Sequence, residues 1–144
     1  MTSTTPITTL HAYSATREQA YSTGAEWTIS CVGVARILYG ILPLALLANG
    51  FAAGTAVATA ALATIGVEFV IQGVATTALT RVLTNSYPAV TVSVALDALV
   101  TVLAMVLLAA GWNQLTAAAG LVVLGAVAVA TLSAVIVALT STSP

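Results

Sequence analysis

Residues 52–79, AAGTAVATAALATIGVEFVIQGVATTAL, form an apolar run that carries Thr64, Glu68, Gln72 and Thr76 at every fourth position. The run exceeds the ~20 residues a helix needs to cross ~30 Å of hydrocarbon. On a helix, four-residue spacing draws the polar groups into one stripe. A barrel strand is excluded, because the strict alternation it requires is absent. A helix also satisfies its own backbone groups, which lipid cannot do.

Three further runs of the same kind flank this one, at residues 29–48, 89–110 and 115–139. Turn chemistry separates them: Asn49-Gly50, then Asn85 to Pro88, then Gly111 to Gln114. Links this short make consecutive helices antiparallel neighbours. The expected fold is all-α: a polytopic membrane protein built as an antiparallel four-helix transmembrane bundle over residues 27–140, with a polar, loose tail at 1–26 and a short tail at 141–144. Pro43 inside the first run removes a helical hydrogen bond and is a candidate kink.

Composition agrees. Hydrophobic residues make up 60% of the chain and charged residues 5%, whereas a soluble domain is ~25% charged. The net charge of −1 and the lack of any basic stripe argue against a nucleic-acid partner. Cys31 is the only cysteine and is expected to be an inert buried thiol; His11 is likewise alone, so no zinc-type ligand set can be assembled. The N-terminus lacks the layout of a secretory signal, so the first run is expected to be an uncleaved span. Arg17 before the first span and Arg81 at the end of the second place both termini on the cytoplasmic side of the cell membrane by the positive-inside rule. Trp27 and Trp112 fall where interfacial anchors belong. The alanine-rich stretches 53–60 and 117–130 read as close-packing helix faces.

Arg36, Glu68 and Asp97 are the charged residues within the spans. Such a group costs ~2.5–3.5 kcal/mol on insertion scales, so it faces the bundle interior and finds a partner. Ser93, Asp97 and Thr101 form a stripe on the third span, and Arg36, Tyr39 and Gly40 share a face of the first. Counted at ~1.5 Å per residue, Arg36 and Asp97 lie level and Glu68 about one turn deeper. A guanidinium fork can engage two carboxylates, so Arg36, Glu68, Gln72 and Asp97 are expected to form one intramembrane polar cluster. One cation against two carboxylates leaves a surplus acid, and Glu68 is the candidate proton carrier. The competing reading is a buried lock that sets helix register.

The run from Arg36 to Gly40 (Arg-Ile-Leu-Tyr-Gly), Gly66-Val-Glu68, and Gly73 leading to Thr80-Arg81 resemble the DoxX-like family of small four-helix membrane proteins. The resemblance covers residues 32–83. It departs at Asn49 to Phe51, where the family often carries a lysine, and lacks a second glycine before Thr80. It implies an accessory or anchor subunit of a quinone-linked membrane redox system. The residues themselves offer no reactive cysteine pair, haem ligands or flavin motif, so no cofactor and no stand-alone activity are expected. The expected partners are the lipid bilayer and other membrane subunits or further copies of the chain. The alternatives are a proton-coupled small-molecule transporter using Glu68, and a purely structural or assembly protein.

Overall fold

The computed structural model describes the backbone of residues 7–50 and 55–141, and the side chains of residues 23–50, 55–111 and 113–141. The described residues are helical almost throughout: α1 (Ile7–Ala48), α2 (Ala56–Ala78), α3 (Thr80–Asn85), α4 (Tyr87–Gly111), a 3-10 turn at Trp112–Gln114, and α5 (Ala117–Ser141). Four stretches are long and apolar enough to cross a membrane: Thr23–Ala48, Ala56–Ala78, Tyr87–Gly111 and Ala117–Ser141. Large hydrophobic side chains such as Leu38, Ile71, Leu103 and Leu132 point outward and are more than half exposed. That exterior suits lipid and would aggregate in water.

The ends follow their local chemistry. α1 stops at Asn49-Gly50, where Gly50 takes φ +71°, the left-handed conformation that glycine adopts at no steric cost. Thr55 caps α2 by accepting from the Ala58 amide at 3.1 Å, and its hydroxyl donates to the Gln114 carbonyl across the bundle. Thr116 caps α5 in the same way, through the Ala119 amide. α2 and α3 are one helix with a break at Leu79. The hydroxyls of Thr77 and Thr80 donate back to the carbonyls of Gly73, Thr76 and Thr77 there, and such back-bonding bends helices.

Cys31, expected to be buried, is exposed on α1. Two expectations about the helices are also corrected. The segment expected to be a loose tail through residue 26 is helical from Ile7 onward; residues 1–6 and 142–144 lie outside the described residues. Residues 7–23 contain neither glycine nor proline but include Leu, Ala, Arg, Glu and Gln. A helix nucleated by the span extends into such a segment, because propagation is far cheaper than nucleation. The same helix runs through Pro43 unbroken. The second correction concerns neighbours. α1 lies along α2, α4 along α5, and α1 also meets α5, but α2 and α4 are not closely paired although they are consecutive spans. The molecule is therefore two antiparallel hairpins joined along α1 and α5 and parted along α2 and α4.

The α1/α2 hairpin is held by paired glycines. Gly33 and Gly40 on α1 face Gly73 and Gly66 on α2, in reverse order as antiparallel helices require. A Cβ at Gly40 would stand 2.7 Å from the Gly66 carbonyl oxygen, and one at Gly73 would stand 2.6 Å from that of Gly33. Only glycine lets the backbones meet this closely, and dispersion over the contact then supplies association energy in lipid. Among the buried positions of α5, Ala119, Val123, Ala126, Ala130, Ser133 and Val137 alternate steps of four and three, with Gly120 and Val122 buried beside them, the seam of left-handed helix packing.

Three apolar layers stack along the bundle. Ala58, Leu62, Ala119 and Val122 form one end. Ile65, Phe69, Val100, Ala104, Val123, Ala126 and Ala130 form the middle. Ile29, Val32, Leu83, Val90 and Val137 form the other end.

Candidate functional site in the α2/α4 fissure

Between the middle layer and the Ile29 layer each span contributes a buried polar residue: Arg36 from α1, Thr76 from α2, Asp97 from α4 and Ser133 from α5. α1 and α4 are not packed neighbours, so the long arginine side chain crosses the interior to reach its partner. Its Nη2 donates to Asp97 Oδ2 in a salt bridge, and both side chains are 1% exposed. Its Nη1 donates to Thr76 Oγ1 at 2.9 Å. Arg36 Nε and Asp97 Oδ1 are buried with no hydrogen-bond partner. An orphaned buried donor or acceptor carries its full desolvation cost, so the site holds one donor and one acceptor in reserve.

Arg36 lines a cavity of about 360 Å³ between α2/α3 and α4, together with Gln72, Thr76, Leu79, Ser93 and Leu96. The mouth of this cavity is apolar: Leu79, Val82 and Val92 stand about half exposed around it. Further along the same seam Gln72 and Leu96 also line a second opening, with Thr64 and Glu68. A third opening shares Thr64 and Glu68 and adds Val57, Leu103 and Leu107. The α2 stripe of Thr64, Glu68, Gln72 and Thr76 thus borders one continuous lateral fissure, with the arginine at one end.

Of the expected cluster, Arg36 and Asp97 are in contact and Gln72 borders the same cavity as Arg36. Glu68 is not part of the ion pair. It accepts from Gln72 Nε2 at 3.3 Å and makes no salt bridge among the described residues. The second guanidinium nitrogen goes to the Thr76 hydroxyl, which lies two turns, ~12 Å, along α2 from Glu68. Depth counting could not show that Thr76, and not Glu68, bonds the guanidinium. Thr101 donates to the Asp97 carbonyl at 2.8 Å and stays within its own helix. Tyr39 turns away from the fissure: it donates to the Val122 carbonyl and stacks obliquely on Phe69, with ring centroids 5.2 Å apart. Ser133 was missed by sequence reading; the only signal was a polar residue at a core position of the α5 seam.

Among the described residues no three His, Cys, Asp or Glu side chains come together as metal ligands. The fissure can take a molecule that is apolar over most of its length and ends in a group able to accept from Arg36, which lines the cavity. Compared with known proteins, the chain matches no family model, no curated protein and no solved structure.

Proposed function

We propose that this chain is a non-catalytic membrane subunit that draws the polar head of a lipophilic molecule from the bilayer into the α2/α4 fissure, as an accessory or anchor of a larger membrane system. One observation carries the reading: the fully buried guanidinium of Arg36, with Nε unpartnered, stands on the floor of a cavity whose mouth is apolar. Ligand sites of this kind are mostly apolar, with a few polar groups that fix orientation. A quinone head fits the chemistry, since its carbonyl accepts a charge-assisted hydrogen bond while its tail stays among Leu79, Val92 and Leu96. The DoxX-like resemblance, which the comparisons with known proteins do not extend, points to the same class.

The test is a titration of the detergent-purified protein with a short-tailed quinone, followed by the quenching of its intrinsic tryptophan and tyrosine fluorescence. Saturable binding that Val92→Trp blocks and Ser141→Ala leaves intact supports the reading. Quenching that is unsaturable, or equal in both variants, overturns it and leaves a purely structural protein.

A second reading rests on Glu68, which borders two openings of the fissure with only Gln72 as partner. In a proton-coupled transporter this acid would exchange its proton for a cationic substrate. Proteoliposomes carrying an imposed pH gradient should then lose proton-coupled uptake in Glu68→Gln and retain the fold.

The proposed orientation has both termini in the cytoplasm, supported by Arg17 and Arg81. In a Cys31→Ala background, a cysteine placed at Ser143 should resist an impermeant thiol reagent in intact cells and react after lysis. Labelling in intact cells would reverse the topology.

A further inference from the structure

A second groove, on the outside of the α1/α2 hairpin and lined by Thr77, Ala78, Thr80 and Arg81 where the fissure is lined by Thr76, Leu79 and Val82, has a polar end and an apolar end. Glu26, Trp27, Ser30 and Arg81 line the polar end, and Val34 and Leu38 the apolar one, in a volume of about 880 Å³. Along α1, from Thr23 to Leu38, the groove runs ~22 Å. Trp27 is 71% exposed at its mouth, the position an amphipathic ring takes at the headgroup level. The floor is closed by the Ser30–Thr80 hydroxyl pair at 3.2 Å. Glu26 and Arg81 line the same groove yet form no salt bridge with each other, and Arg81 makes no ion pair among the described residues.

We infer that this groove binds one phospholipid of the surrounding leaflet, and that it selects a zwitterionic headgroup carrying a primary ammonium, as in phosphatidylethanolamine. Arg81 engages the phosphate through its planar fork, which matches phosphate geometry. Glu26 receives the ammonium, whose three N–H donors a quaternary ammonium lacks. One acyl chain lies along Val34, Ala35 and Leu38. The opposed charges on the two walls reproduce the phosphate–ammonium pair in reverse, and the apolar continuation excludes a free phosphate compound as the natural occupant.

The experiment is native mass spectrometry of the full chain in detergent, with equimolar phosphatidylethanolamine, phosphatidylcholine and phosphatidylglycerol of identical acyl chains. Each exposed ion pair is worth little singly, so a preference of about fivefold for the ethanolamine lipid is expected. Glu26→Gln should bring the ethanolamine lipid down to the choline lipid, and Arg81→Gln should lower the retention of both. Leu38→Trp, which fills the acyl end and leaves both charges in place, should do the same as Arg81→Gln. Equal retention of ethanolamine and choline lipids by the unaltered chain overturns the inference, as does a preference for the glycerol lipid, which would make this a simple anionic-lipid contact. Competition by water-soluble phosphoethanolamine at the same concentration also overturns it, since the acyl end would then contribute nothing.

Discussion

α2 presents two faces that solve opposite problems. Toward α1 it offers Gly66 and Gly73, and the two backbones close until a single methyl group would collide with a carbonyl oxygen. Toward α4 it offers Thr64, Glu68, Gln72 and Thr76, and there the helices stand apart around a chain of openings. Small residues in lipid bring helices together because close backbone approach maximises dispersion. Polar side chains of intermediate length hold helices off unless each finds a partner, because unpaired polar groups in a dry interface are costly. One helix is thus clamped on one side and left accessible on the other, and Arg36, rising from the clamped hairpin, reaches the floor of the open one.

The comparison breaks most completely at the residue that joins its halves. Arg36→Ala strands the Asp97 carboxylate in the interior, and breaking a buried pair costs ~3–5 kcal/mol. The expected result is a large loss of folded, monodisperse protein in size-exclusion chromatography. In Arg36→Ala/Asp97→Ala, part of that loss should be recovered, because neither partner is left charged and alone. A double variant worse than the sum of the singles would mean that the ion pair is not the unit.

On the clamped side, Gly66→Val forces side-chain atoms against Leu44 and the Gly40 carbonyl, and overpacking costs ~1–3 kcal/mol. Thermal unfolding in detergent should show a clearly lowered midpoint. An unchanged midpoint would refute close α1/α2 packing.

A smaller effect is expected where α1 meets α5. Tyr39→Phe removes the hydrogen bond to Val122 and keeps the ring against Phe69; interhelical hydrogen bonds in membranes average ~0.6 kcal/mol. Denaturation by graded addition of a harsh detergent should register a shift of that order. A loss comparable to that of Gly66→Val would give the α1/α5 contact a weight the glycine clamp does not have.

The smallest change belongs to the open side. Glu68→Gln keeps the shape of a half-buried side chain that forms no ion pair, and substitutions of this kind stay within ~0.5 kcal/mol. The variant should purify and melt like the parent. A large destabilisation would make Glu68 a structural element of the bundle, and the contrast between the two faces of α2 would narrow.

Much of this was legible in the sequence through local physics. The spans follow from apolar length, and the α1 end from Asn49-Gly50. The Arg36–Asp97 pair follows from counting depth from span ends on antiparallel helices. The misreadings share a different cause. The Ser/Thr-rich start of α1 was expected to be loose on composition, yet its helicity depends on being continuous with a span that already exists. Glu68 was expected to join Arg36 on charge and depth alone, but the rotation of α2, set by the glycine contact with α1, brings Thr76 to the guanidinium. The alanine-rich stretches do supply buried packing positions, Ala58, Ala119, Ala126 and Ala130. The tight contact of α1 with α2 falls on Gly33, Gly40, Gly66 and Gly73, whose pairing across two helices is visible only when the helices are laid side by side.

By itself the sequence determined the solvent, the number of spans, their ends and the demand that three charges within the spans be dealt with, because hydropathy, turn chemistry and desolvation act on each segment in isolation. The tertiary structure alone decided which faces meet. It closed α1 on α2, parted α2 from α4, and set Arg36 between Asp97 and Thr76 with Glu68 left in the fissure. Helix rotation and neighbour choice are the outcome of all the helix contacts at once, and no single segment carries that information.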